Sequence, residues 1–120
     1  MQWQMQWQMQ WISIAGMGLA LALSGCDVGG EVDVVERGRR TYVANCAVCH
    51  HPNPTLEGSL GPPIAGSPRE LVEARVLRGG YPNGYTPQRD TALMQPLPYL
   101  NGELDALVAY LASVASPAAP

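Results

Sequence analysis

Three stretches of this chain repeat apolar residues at helical spacing. The clearest is the last, where Leu104, Leu107, Val108 and Leu111 recur at i, i+3, i+4 and i+7 and form one apolar stripe. Asn101 can cap that helix, and Glu103 and Asp105 place negative charge at the positive end of its dipole. A second helix is expected after Ser67-Pro68-Arg69-Glu70, which reads as a capping box with proline at the first helical position. Leu71, Val72, Val76 and Leu77 supply its apolar positions, and Gly79-Gly80 ends it. A third helix is expected over roughly 33–45, with Val34, Val35, Gly38 and Tyr42 as its inner face. Within residues 33–116 no stretch repeats with the period of two that marks strands, so the pattern predicts an all-α fold of three or more helices.

A fourth apolar stretch has a different character. Residues 11–23, WISIAGMGLALAL, are apolar or small throughout. The run falls short of the ~20 residues that cross a bilayer and has the length of a secretory signal's hydrophobic core. Residues 1–25 carry no charge, whereas the rest of the chain carries all 7 cationic and 10 acidic side chains. The opening MQWQMQWQMQW is a low-complexity repeat and lacks the Lys or Arg that normally starts a signal. The organisation expected is therefore a signal peptide over 1–25, a tether over 26–32, one folded domain over 33–116 and a flexible tail over 117–120.

Composition removes some functions. A net charge of -3 supplies no basic field, so nucleic acid is not an expected partner. All the cations are Arg, and no Lys occurs anywhere in the chain. The 13 glycines and 11 prolines predict long irregular connections between short helices.

An odd number of cysteines in an exported chain asks for an explanation, and here there are 3: Cys26, Cys46 and Cys49. Leu23-Ser24-Gly25-Cys26 resembles the lipobox of bacterial lipoproteins. That resemblance implies cleavage before Cys26, lipid on its sulfur and tethering to a membrane. Asp27 behind it resembles the inner-membrane retention signal of enterobacterial lipoproteins. The location so implied is the bacterial periplasm, on the inner membrane. An ordinary signal peptide with an incidental cysteine, or an uncleaved anchor, is the plainer alternative.

The other two cysteines lie in Cys46-Ala47-Val48-Cys49-His50, the C-x-x-C-H pattern of covalent haem attachment. Two thiols add across the two haem vinyl groups, and this spacing lets both sulfurs reach one porphyrin edge. The histidine directly behind Cys49 is then carried under the iron. A thioredoxin-like reading needs a preceding strand, which the pattern of residues 32–45 does not offer. A structural zinc site needs four ligands, and only Cys46, Cys49, His50 and His51 are at hand, crowded into six residues.

The sixth iron position follows by elimination. Of the 5 methionines, only Met94 lies beyond Cys26, and His51 is too close to His50 to reach the opposite face. Met94-Gln95-Pro96 lies in an extended, proline-rich stretch that suits a ligand loop, although methionine also fills irregular apolar space. Paired with imidazole, a thioether favours ferrous iron and raises the potential.

From about residue 34 to 115 the chain resembles a short class I cytochrome c with one haem. Gly38-Arg39-Arg40-Thr41-Tyr42 resembles the family's Gly-x-x-x-aromatic in the first helix, ahead of C-x-x-C-H. Gly61-Pro62-Pro63-Ile64 resembles its Gly-Pro-x-Leu segment, and Met94-x-Pro96 and Ala109-Tyr110-Leu111 follow in order. The resemblance implies that the first and last helices cross at Gly38. It also implies that the Pro62 carbonyl accepts a hydrogen bond from the proximal imidazole. His51-Pro52-Asn53-Pro54 departs from the family, which often has a glycine-rich turn there, and Tyr81–Pro87, rich in turn residues, has no strong match in it.

The expected protein is a monomeric electron carrier, not an enzyme, with one haem c attached through Cys46 and Cys49 and its iron ligated by His50 and Met94. Its partners would be other redox proteins, and Tyr81, Tyr85 and Arg89 are candidate contacts for the haem propionates. A haem subunit fixed to a dehydrogenase or oxidase is an alternative. A haem enzyme or gas sensor with a displaceable Met94 is a third.

Overall fold

In the computed structural model the Asp33 carboxylate accepts the backbone N–H of Glu36 at 3.3 Å and starts helix α1, Val34–Asn45. The structure describes residues 32–115. The signal segment 1–25, the lipobox-like Cys26, most of the tether and the tail lie outside the described residues. Among the described residues there are helices and no strand, so the architecture is all-α, as the periodicity predicts.

Helix α2 spans Arg69–Glu73 and widens into a π turn over Ala74–Arg78. Gly79 ends it in the left-handed conformation (φ 69°), as Gly79-Gly80 predicts. The start differs from expectation. Pro68 is the cap residue, with an extended ψ of 153°, and Ser67 makes no capping bond. The Pro68 carbonyl opens the helix by accepting the amides of Leu71 and Val72.

Helix α3, Leu104–Ser113, follows a 3-10 turn over Pro98–Glu103. Asn101 lies inside that turn and caps nothing, which corrects the sequence expectation. The tighter turn satisfies local donors backbone to backbone, so no side-chain cap is needed.

Helices α1 and α3 touch backbone to backbone. A Cβ on Gly38 would fall 1.9 Å from the Ala106 carbonyl oxygen, so only glycine permits the approach. One turn on, the fully buried Tyr42 packs against Tyr110 with ring centroids 5.5 Å apart and tilted by 52°. Glu103 joins the crossing from the α3 side, 3.4 Å from the Arg37 guanidinium and accepting the Thr41 hydroxyl at 3.3 Å.

The inner face of α1 is narrower than the sequence suggests. Val34 is exposed, Val35 is partly buried, and only Gly38 and Tyr42 are fully inside. Helix α3, in contrast, buries two faces. Ala106 and Tyr110 meet α1, while Leu107 and Leu111 pack with Val72 and Val76 of the second helix. Partly buried Ile64, Met94 and Leu97 extend that core toward one side. There the helices line a cavity.

Candidate functional site

Helix α1 does not stop cleanly; it unwinds into the Cys46–His50 turn. The Tyr42 carbonyl accepts the amides of both Cys46 (2.8 Å) and Ala47 (3.1 Å). The Cys46 carbonyl then accepts those of Cys49 and His50. This coil turns Cys46, Cys49 and His50 to one wall of the cavity and leaves Val48 80% exposed on the outside.

His50 is 9% exposed, and its Nδ1 lies 2.9 Å from the Pro62 carbonyl oxygen. A carbonyl only accepts, so Nδ1 carries the hydrogen and Nε2 keeps its lone pair. The loop carrying Pro62 is fitted closely to the ring. A Cβ on Gly61 would fall 2.5 Å from Nδ1, so glycine is required there. The Cys49 carbonyl accepts the amides of Leu60 and Gly61 at 3.1 and 2.9 Å, which pins this loop to the cysteine turn.

The next residue, His51, has φ 103°, a left-handed backbone that bulky side chains rarely adopt. The Tyr42 hydroxyl donates to its carbonyl at 2.6 Å. Burial pushes the Tyr42 phenol well above its ordinary range, so it remains a donor. The His51 ring turns into its own loop, where Nδ1 accepts the Asn53 amide at 2.9 Å. His50 and His51 therefore do not converge.

The cavity encloses about 340 Å³, within the ~300–1,000 Å³ usual for ligand and cofactor sites. Cys46, Cys49 and His50 lie on its lining together with Met94, the residue chosen by elimination for the opposite face. Leu71, Val76, Leu107 and Leu111 make much of the rest apolar. Both thiols are unpaired, and burial first, then Cys49 beside it, pushes the Cys46 thiol up to about 11. Among the described residues no three His, Cys, Asp or Glu side chains converge as a zinc site requires.

Tyr81, Tyr85 and Arg89 all line the cavity, and so does Arg75. The two tyrosine rings stack 5.4 Å apart at 9°, and the Arg75 guanidinium lies 4.4 Å from the Tyr81 centroid. Arg75 also donates to the Gly79 carbonyl at 2.6 Å. Arg89 instead binds the Glu57 carboxylate and, at 3.0 Å, the Leu60 carbonyl. Arg75 is not among the propionate candidates that the sequence offers. Its position four residues after the apolar Leu71 was the signal that it faces inward.

An apolar cavity with two thiols and an oriented imidazole on one wall and a thioether on its lining fits a covalently attached porphyrin. The family model for Cytochrome c matches residues 35–115. No curated protein and no solved structure matches the chain.

Proposed function

The chain belongs to the cytochrome c family, and from that premise we propose that it passes single electrons between redox proteins through a haem ligated by His50 and Met94. Membership implies covalent haem c with its iron and haem-based electron transfer. The ligand pair, the single haem and the partners are our reading. The observation that carries it is the His50–Pro62 bond at 2.9 Å, with Met94 on the same cavity.

Bound haem supplies an iron that gains and loses one electron. In this reading Cys46 and Cys49 hold the group by thioether bonds. His50 presents Nε2, and Pro62 fixes the ring and raises its basicity. Met94 offers a soft sulfur that favours the reduced state. The apolar walls keep water from the iron and further favour the less charged state. Arg75 is the cavity cation whose contacts are neutral, a carbonyl and a ring, so we assign it to a haem propionate. Arg89, already facing Glu57, is less suited to that task than the sequence suggests.

Were His50 and Met94 both to ligate the iron, no position on it would be left for substrate. Outer-sphere electron transfer follows, not chemistry on a small molecule. The lipobox-like Leu23-Ser24-Gly25-Cys26 supports an exported, lipid-tethered protein on the periplasmic side of a bacterial inner membrane. Among the described residues no helix is long and apolar enough to cross a membrane.

The test is the visible and near-infrared spectrum of the purified haem protein in both oxidation states. We expect a low-spin spectrum with a weak sulfur-to-iron band when oxidised, lost in Met94→Ala. A high-spin spectrum, or ready binding of carbon monoxide to the reduced protein, would overturn the carrier reading in favour of an open haem site.

A further inference from the structure

The segment from Thr86 to Pro96, which carries Met94, has no regular structure. Among the described residues no backbone–backbone hydrogen bond begins or ends within it. Only two of its side chains, Arg89 and Met94, escape full exposure. A stretch so poor in internal bonds takes its shape from its anchors. Downstream, Leu97 provides one by donating its amide to Val76 at 2.6 Å. Upstream of Met94, the anchor is the Arg89 side chain.

Arg89 lines the cavity and reaches the loop that follows the cysteine turn. Nη1 donates to the Leu60 carbonyl at 3.0 Å, and Nη2 to the Glu57 carboxylate. Both acceptors belong to the loop that holds the proximal histidine. Leu60 adjoins Gly61-Pro62, and its own amide is bonded to the Cys49 carbonyl. Gly58, next to Glu57, donates to the Gly61 carbonyl at 2.9 Å and can bear no Cβ, which would lie 2.2 Å from the Cys49 carbonyl oxygen. The guanidinium thus ties an otherwise unbonded segment to the most closely fitted loop of the site. Two donors in a planar fork fix direction as well as distance.

We propose that Arg89 is a positioning residue for the sixth iron ligand: bound to the Leu60 carbonyl and the Glu57 carboxylate, it holds the 86–96 segment so that Met94 stays on the iron, and releasing it opens that coordination position to small ligands. The proposal rests on the Met94 ligation reading above. Glu57 is the more dispensable partner, because its side chain is 69% exposed and an exposed ion pair is screened by salt. The Leu60 bond is not subject to that screening in the same degree.

The experiment is an imidazole titration of the oxidised haem protein, with the sulfur-to-iron band and the helical melting curve followed in parallel. In Arg89→Gln we expect imidazole to bind about tenfold tighter or more, as the loss of a charge-assisted hydrogen bond implies, and the band to weaken. Arg89→Lys, which keeps the charge but loses the planar fork, should restore the native resistance only in part. Glu57→Gln should have a smaller effect than Arg89→Gln. In Met94→Ala the band should vanish and imidazole should bind tightly, with no further gain on adding Arg89→Gln.

If Met94→Ala leaves the band intact, the ligation reading fails and this proposal with it. If Met94→Ala removes the band but Arg89→Gln binds imidazole as the native protein does, the proposal fails alone. Lowered melting in Arg89→Gln with unchanged imidazole affinity would likewise overturn it, leaving Arg89 a purely structural role.

Discussion

The amide of Leu97 donates to the carbonyl of Val76 at 2.6 Å, joining the residue three beyond Met94 to the end of the second helix. Carbonyls in the last turn of a helix lack intrahelical partners. The π turn over Ala74–Arg78 ends in Gly79 and Gly80, whose amides return to the Arg75 and Ala74 carbonyls at 3.2 and 3.1 Å. Val76 is left to be satisfied from outside, and the ligand segment supplies the donor. A helix end and a ligand loop are thereby specified together.

Amide exchange should reveal this anchor directly. In the native haem protein the Leu97 amide is expected to be protected, while those of Thr91 to Gln95, without backbone acceptors, exchange rapidly. Hydrogen exchange read by NMR checks this. Equal protection across Thr91–Leu97 would show that the segment is held by more than its two ends.

Gly38→Ala should be costly. The added methyl would sit on the Ala106 carbonyl, which is backbone and cannot swing aside. Overpacking of this kind costs about 1–3 kcal/mol, occasionally more. Guanidinium denaturation of the haem protein should show the loss as a lowered midpoint, with the haem absorption of the folded state unchanged.

Acid should be felt early in α1. The Arg39 guanidinium first, and then that of Arg40, hold the Glu36 carboxyl at about 2, at 2.7 and 2.9 Å respectively. Because this lies below the ordinary value, the contribution is complete above roughly pH 4.5 and is lost as the pH falls toward 2. The group is exposed, so the effect on stability is small and salt-sensitive. An NMR titration should place its midpoint near the bottom of that window. In Arg39→Gln the midpoint should rise toward the ordinary carboxylate range.

Arg75→Gln should lower the reduction potential. Removing a positive charge beside the cavity leaves the haem's carboxylate uncompensated and favours the more positive oxidised iron. A roughly tenfold shift in the one-electron equilibrium corresponds to ~59 mV. Spectroelectrochemistry against Arg75→Lys, which keeps the charge, tests the assignment. Equal potentials in native protein and Arg75→Gln would mean that Arg75 lies away from the propionates.

Much of this was legible in the chain. The stripe of Leu104, Leu107 and Leu111 depends only on spacing, and all three side chains are buried. The C-x-x-C-H run and Met94 were readable because residue supply left few candidates, and both border one cavity. Helix boundaries were less accessible. Pro68 caps the second helix because its ψ keeps it outside the ladder, and Asn101 caps nothing because a 3-10 turn precedes α3. Both facts depend on backbone angles set by tertiary closure. Arg75 and Arg89 could not be told apart either. They differ only in which groups the fold brings beside them, the Tyr81 ring for one and Glu57 for the other.

The contact of Gly38 with Ala106 also imposes a sequence of events. A growing chain releases Cys46 and Cys49 well before Ala106 exists, and until then the glycine face of α1 has nothing to close upon. Helix α3 also supplies Leu107 and Leu111 to the cavity that Cys46 and Cys49 line, so before it docks that lining is incomplete. A chain cut short before Ala106 would therefore still carry both thiols and could not complete the contact of α1 with α3.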